Sequence, residues 1–246
     1  MKKLIPITLT LILAAICLCG CFIVNPSPMF GRGVFGKGDP ENFEFKVGEF
    51  SEIRIDLYCD INYSAAPSDT VLLSVQPNLM DYIKVEESGG ILTVRSTRAI
   101  NYTTIAPVLT VSTPVLNRLV LNGAGTFNTR DPISTDSFTL RLAGAGRSYI
   151  KLDVDRLIVD MLGAGDYELS GRADTADFTM NGAGRLEALS LQTREAKIDF
   201  SGVGTIRIDC SEKLRINADG MGTVEYKGSP SIDLDKNGFV NIRKIE

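Results

Sequence analysis

The chain has 246 residues and no histidine. Ser-His-Asp and Cys-His catalysis, His-ligated zinc or haem, and an imidazole base near neutral pH are therefore excluded. The side chains left for chemistry are carboxylates, guanidinium groups, phenols and thiols. Asp153/Asp155 and Asp174/Asp177 are paired acids of the type that glycosidases and polysaccharide lyases use without histidine. The separation glycosidases need, about 5 to 10 Å, arises readily between neighbouring strands, so the pairs alone assign no catalytic residue. They also fall at expected outward or turn positions, where solvation accounts for them. Asp233-Leu234-Asp235-Lys236-Asn237-Gly238 opens like a calcium loop, but the closing Glu is missing and Lys244 and Ile245 stand near its place. The Asn-Gly pair reads instead as a hairpin turn. No metal and no cofactor is expected.

The N-terminus carries an address. Lys2 and Lys3 precede an apolar run from Leu4 to Leu18, too short to span a bilayer comfortably, so residues 1 to 20 read as a signal peptide. Leu18-Cys19-Gly20-Cys21 resembles a bacterial lipobox, which makes Cys21 the expected lipidated residue; the alternative is an ordinary secretory signal with an incidental cysteine. Phe22 rather than Asp after Cys21 fits outer-membrane sorting if the cell has two membranes. Removing residues 1 to 20 leaves Cys59 and Cys210 besides Cys21. Two cysteines make neither a zinc site nor a disulfide framework. They are expected as buried thiols, with a single disulfide as the alternative. Residues 21 to 43, rich in Pro and Gly with no regular period, read as a lipid-anchored flexible tether.

Lys plus Arg number 26 against 30 Asp plus Glu, with a formal net charge of -4. A nucleic-acid binder would need a basic stripe for phosphates, so no nucleic acid is expected as a partner.

A repeat then sets the fold. Gly123-Ala124-Gly125, Gly144-Ala145-Gly146, Gly163-Ala164-Gly165, Gly182-Ala183-Gly184, Gly202-Val203-Gly204 and Gly220-Met221-Gly222 follow one another at spacings of 21, 19, 19, 20 and 18. Two and four residues before each first glycine lie apolar side chains, from Leu119/Leu121 to Ile216/Ala218. Between them the residue is polar in five of the six copies, which is the period of a strand with one buried face. A second strand of like pattern follows each corner, as in Phe127/Thr129 and Ile206/Ile208. A unit of about twenty residues cannot bury its own apolar face, so copies must stack. The expected fold is all-β, a parallel β-solenoid of about six Gly-x-Gly-cornered coils spanning residues 117 to 228. Residues 44 to 116 form an N-terminal β region that caps the first coil. Residues 229 to 246 form closing strands, Ser231 to Leu234 and Phe239 to Ile242, in a hairpin.

The same register predicts an outer face. Arg147, Asp166 and Arg185 fall on successive coils as an alternating charge ladder, with Tyr149 as the aromatic beside them, and these four residues are the candidate exposed binding face. Matched charges on a solvated face are the bland alternative. Tyr58, Tyr63 and Tyr102 either pack or form a second patch.

Phe50-x-x-Ile53-x-Ile55, Gly89-Gly90-Ile91-Leu92-Thr93-Val94 and Leu119-Val120-Leu121-Asn122-Gly123-Ala124-Gly125-Thr126-Phe127, followed by recurring Gly-Ala-Gly turns, resemble the head GIN domain family of bacteria. The resemblance covers about residues 44 to 228 and implies a right-handed β-helix. It implies no catalytic residue. The expected function is a non-enzymatic envelope lipoprotein, held to the membrane by its N-terminal lipid, that binds a glycan or an envelope protein. The alternatives are a carboxylate-dependent polysaccharide-acting enzyme and a purely structural protein that self-associates as a homo-oligomer through exposed strand edges.

Overall fold

The computed structural model describes residues 33–101 and 105–246. The expected signal peptide, Cys21 and Tyr102 lie outside the described residues. The chain is a nearly all-β solenoid of about seven turns, 71% strand. Its first half forms β1 (Val34–Phe35), β2 (Glu41–Lys46), β3 (Glu52–Asp56), β4 (Asp60–Ser64), β5 (Thr70–Val75), a 3-10 helix (Pro77–Tyr82), β6 (Ile83–Ser88), β7 (Ile91–Ser96), β8 (Ile100–Asn101) and β9 (Val108–Ser112). The repeats form β10 (Arg118–Leu121), β11 (Ala124–Thr129), β12 (Ile133–Leu142), β13 (Ala145–Met161), β14 (Ala164–Met180), β15 (Ala183–Phe200), β16 (Val203–Ala218) and β17 (Met221–Lys227). β18 (Ser231–Lys236) and β19 (Phe239–Lys244) complete the chain.

Parallel pairing stacks each repeat on the one before. Ala145 lies beside Ala164, Ala164 beside Ala183, and Ala183 beside Val203. A strand such as β13, 17 residues long, must bend to bring its successor back over its own start. The inward columns are continuous. Leu140, Val159, Phe178, Ile198 and Ile216 form one, and Leu142, Met161, Met180, Phe200 and Ala218 another; all are buried. Full burial contributes about 1.5 to 3 kcal/mol for each large side chain. The column through Phe127, Ser148, Tyr167 and Leu186 contains a small polar residue. An interior cavity of about 10 Å3 lies beside Ser148 and Tyr167, room for about one water.

The corner glycines have two distinct causes. At the first glycine the requirement is close approach: a Cβ on Gly144 would stand 1.5 Å from the Gly123 carbonyl oxygen. At the second, in every copy except Gly165, the backbone also adopts positive φ. Gly184 has φ +133, and its Cβ would meet the Gly165 oxygen at 1.9 Å. With the backbone at positive φ, no side chain fits there unless the coils separate. The residue between them points outward, so it can vary from Ala to Val to Met.

The N-terminal region is more than a cap. β3 pairs in parallel with β10 on one side and β7 on the other, and β4 does the same with β11 and β9. Residues 52–64 therefore make a coil beneath the first glycine corner, and residues 91–112 make another beneath that. The chain builds these out of spatial order, because β7 and β9 follow β3 and β4 in sequence yet lie farther from the repeats. Leu57 and Cys59 occupy the glycine positions of this coil, since the carbonyls of Leu57 and Cys59 lie under Gly123 and Gly125. Side chains are tolerated there because the coil below is out of step: Arg95 lies opposite Asp56 and Val108 opposite Asp60, and no described residue between them pairs with Leu57 or Cys59 as one corner pairs with the next. The actual cap is antiparallel: β6 on β7, and β5 on β9 with β2 outside it.

Two expectations are corrected. The tether does not extend to residue 43, because Val34–Phe35 pair with Ile100–Asn101 and β2 pairs along the length of β5. The closing hairpin is absent: β18 runs parallel to β16 and β19 parallel to β17, so the C-terminus is a further coil with Asn237-Gly238 at its corner. An Asn-Gly pair that satisfies a tight hairpin satisfies this corner as well.

Cys59 and Cys210 are buried and unbridged. Burial pushes the Cys59 thiol up to about 12, which leaves it unreactive at neutral pH.

Replacing Gly184 with alanine is expected to destabilise the protein by at least about 2 kcal/mol, through positive-φ strain and the backbone clash. Ala183→Ser, one residue away and facing out, should stay within about 0.5 kcal/mol of wild type. Denaturant unfolding of both variants checks this, and equal losses would contradict the corner geometry.

Candidate functional site

The outward side of the glycine corner is a shallow groove of about 730 Å3. Its floor is the column Ala124, Ala145, Ala164 and Ala183, flat because the middle residue of each corner is small. Arg147, Tyr149 and Asp166 rise along one wall, and Tyr58 and Asp60 close the end nearest the cap. A smaller adjoining groove of about 230 Å3 brings Arg185 together with Arg147, Tyr149 and Asp166 and adds Glu168 and Glu187. All four residues of the expected binding face thus meet on one surface.

The expected charge ladder forms in part. Arg147 lies beside Asp166 in register, at 3.9 Å between Nη2 and Oδ2, and Asp166 lies beside Arg185. Arg185 has no ion pair among the described residues, and neither does Glu168, which stacks directly beside Glu187. Adjacent like charges oppose folding slightly. Their presence together with an unpaired guanidinium leaves this surface with hydrogen-bonding capacity that the fold does not consume.

Tyr149 is 43% exposed and Tyr58 39% exposed. Tyr58 was missed as part of this face because its coil lacks the glycine signature; the alternation of Ile53, Ile55, Leu57 and Cys59 was the only signal that placed it. Tyr63, by contrast, is buried, and its hydroxyl donates to the Thr113 carbonyl at 2.9 Å.

Farther along, the same outward column becomes a closed charge network. Arg207 bonds Glu187 at 3.0 Å and Glu225 at 2.6 Å, and Glu225 also accepts from Arg243 Nε at 2.8 Å. Arg243 and then Arg207 hold the Glu225 carboxyl below the usual carboxylate range, against a smaller opposing effect of burial.

The paired acids are engaged in ion pairs on the outer surface. Asp153 and Asp155 both lie near Arg172, Asp174 bonds Arg194, and Asp177 bonds Arg156 at 2.8 Å. The hydrogen bond from Arg194 lowers the Asp174 carboxyl. A glycosidase acid needs the opposite displacement. The calcium-like stretch is spent on the last corner: Asp233 pairs with Arg215 at 3.4 Å and Asp235 accepts from Asn237. No group of three or more metal-ligating side chains occurs among the described residues.

A second groove, about 900 Å3, lies at the cap end between Val47, Phe50, Pro67, Pro114 and Val115. Sequence reasoning gave no sign of it, since its walls come from four separate segments, residues 47–51, 67–69, 90 and 113–115.

Comparison with known proteins agrees with this architecture. The family described as "Putative auto-transporter adhesin, head GIN domain" matches residues 49–230. Among solved structures, a putative adhesin from Bacteroides fragilis superposes with a TM-score of 0.82 at 26% identity, covering 87% of this chain and 100% of that one. A protein from Parabacteroides distasonis described as a putative lipid binding protein has a TM-score of 0.68 at 23% identity, covering 87% and 99%. A putative adhesin from Parabacteroides merdae has 0.61 at 19%, with the same coverage. Among curated proteins no relative matches the sequence.

Glu225 also makes a pH prediction. Its folded carboxyl protonates below its unfolded value, so the stabilisation is present above about pH 4.3 and is lost as pH falls through the folded value. Amides of Phe239–Lys244 should lose hydrogen-exchange protection on acidification from about pH 5 to about pH 3, and Glu225→Gln should remove most of that dependence. Protection of this segment that does not change with pH would count against the network.

Proposed function

Because the chain belongs to the head GIN domain family, we propose that it is a non-enzymatic, lipid-anchored envelope protein that binds an extended glycan or an envelope protein along the outer face of its glycine corner. An adhesin-like envelope role is what the family and its neighbours support. The observation that carries the finer reading is the convergence of Tyr58, Tyr149, Arg147 and Asp166 on one flat groove floored by alanines. Flat aromatic faces beside hydrogen-bonding groups suit sugar rings, which present an apolar face and a polar rim. The groove runs across stacked coils about 4.8 Å apart, so it repeats along its length and fits a chain better than a compact molecule.

Catalysis is the weaker reading. The carboxylates with displaced proton affinity, Asp69, Asp174, Asp199 and Glu225, are all displaced downward. For Asp199, desolvation acts upward but is outweighed by bonds from Lys197 and Asn217.

Two experiments test the proposal. The full chain is presented to isolated envelope glycans and to envelope protein extract, in wild-type form and as Tyr149→Ala with Arg147→Ala. Affinity for the ligand should fall about tenfold, or about 1.4 kcal/mol, with no reducing ends released. Undiminished binding would remove this face from consideration, and glycan cleavage would restore the enzyme. For the anchor, Cys21→Ser should abolish incorporation of labelled fatty acid and release the protein from the membrane fraction; retention of label would overturn the assignment.

A further inference from the structure

The two ends of the solenoid are unlike. At the N-terminal end the last parallel strands are covered by antiparallel β5 and β6. At the C-terminal end, β18 and β19 pair with β16 and β17 and with no other strand among the described residues. Their outer edges present unpaired backbone groups. Ile232 and Leu234, inward-facing in register with Leu214 and Ile216, are half exposed because the core stops there. At the corner, Phe239 is 84% exposed and continues a ridge with Met221 and Val203, also exposed.

We propose that this end binds a second copy of the chain, end to end about a two-fold axis through the last corner, with β18 lying antiparallel on β19 of the second copy. The argument is geometric first. β18 runs toward the corner and β19 away from it, so a two-fold axis through the corner brings β18 antiparallel to the other copy's β19, twice. Residues directly opposite in an antiparallel pair point to the same side. Inward Ile232, Leu234 and Lys236 must therefore face inward Val240, Ile242 and Lys244.

Charge then selects the register. When the pairing is centred on Gly238, Leu234 lies opposite Ile242 of the second copy, and Asp233 lies opposite Arg243. Asp233 already ends one ladder, beneath Arg215, and Arg243 ends another, above Glu225 and Arg207. Joining them continues strict alternation across the interface: Arg215, Asp233, then Arg243, Glu225 and Arg207 of the second copy. A register shifted by one residue toward the N-terminus sets Asp233 opposite Asn241 and Asp235 opposite Phe239, and loses the charge match; one shifted toward the C-terminus sets Asp235 opposite Arg243 but puts Leu234 opposite Lys244 and Ile242 opposite Lys236, and loses the apolar match.

The inward lysines fit a closed pair rather than a fibre. Lys236 and Lys244 stand where the preceding coil has Ala218 and Tyr226. Inward charges of this kind discourage endless parallel stacking. Both side chains are exposed, and Lys244 donates to Ser229 Oγ at 3.0 Å, so each ammonium group can stay at the rim while its stem covers apolar surface.

The test is sedimentation velocity of the full chain in detergent across concentration, for wild type, Asp233→Arg, Phe239→Ser and Asp136→Arg. Asp136 is exposed and distant from this end, so its variant makes the same charge change elsewhere. The expected result is a wild-type dimer that survives Asp136→Arg and dissociates at least tenfold more readily in Asp233→Arg and Phe239→Ser, with circular dichroism and melting of the monomer unchanged. Should Asp233→Arg fail to fold, Phe239→Ser alone decides. A wild-type monomer up to about 100 µM, equal behaviour of Asp233→Arg and Asp136→Arg, or filaments that grow with concentration would each overturn it. None of these readouts involves the corner groove, so the outcome is independent of ligand binding there.

Discussion

The structure depends on one close approach, that of each corner to the backbone of the coil below. Successive coils hydrogen-bond through the corner itself: the Ala183 amide donates to the Gly163 carbonyl and the Val203 amide to the Gly182 carbonyl, each at 3.0 Å. A Cβ at the flanking positions would lie within about 2 Å of those carbonyls. Were the corners held apart by side chains, the ladders on either side of them could not keep parallel spacing. The inward columns would then lose contact as well. Glycine here sets the pitch of the solenoid, and the apolar columns supply most of the driving force once that pitch is fixed.

The constraint acts toward the coil below, and it lapses in two places. Leu57 and Cys59 stand at glycine positions where no corner pairs beneath them among the described residues, and both are buried toward the interior. Val240 stands at the second glycine position of the last coil and is also buried. Val240 has the Gly222 corner directly below it and still carries a side chain, because its backbone is not at positive φ and the side chain lies buried. Leu57 and Cys59 show the part the neighbouring coil plays in the requirement, and Val240 the part the backbone conformation plays.

The parts of the fold that were legible in the sequence were those governed by a short-range rule repeated many times. Six corners at nearly constant spacing gave the solenoid, its inward columns and the outward face with Arg147, Tyr149, Asp166 and Arg185. What was not legible depended on long-range pairing. Nothing local distinguishes β3, which sits inside the stack, from β6, which caps it, because both alternate in the same way. That β7 stacks outside β3 while β10 stacks on its other side is set by the loops between them. Asn237-Gly238 was misread because glycine suits a hairpin turn through positive φ and this corner through close approach to the Asp219 and Gly220 backbone; the partner strands tell the two apart. Val34–Phe35 looked like tether because two residues carry no period, and their order comes from Ile100–Asn101 far along the chain.

The corner also separates what the fold needs from what a ligand can use. Inward positions are bound by packing, and glycine positions by close approach, yet the residue between the glycines touches neither. It varies from Ala through Val and Met to Phe along the stack, and the columns beside it exchange Thr, Arg, Asp and Glu freely. Where those columns form complete ion-pair chains, as from Glu187 to Arg243, their hydrogen-bonding capacity is taken up and they hold coils together. Where the chain of pairs breaks, at Glu168 and Arg185, the capacity remains available, and it does so beside the smallest middle residues and two exposed tyrosines. A surface built this way can change its ligand without touching a residue that the fold requires, which is why recognition is to be sought in the breaks of the ladders rather than in their most regular stretches.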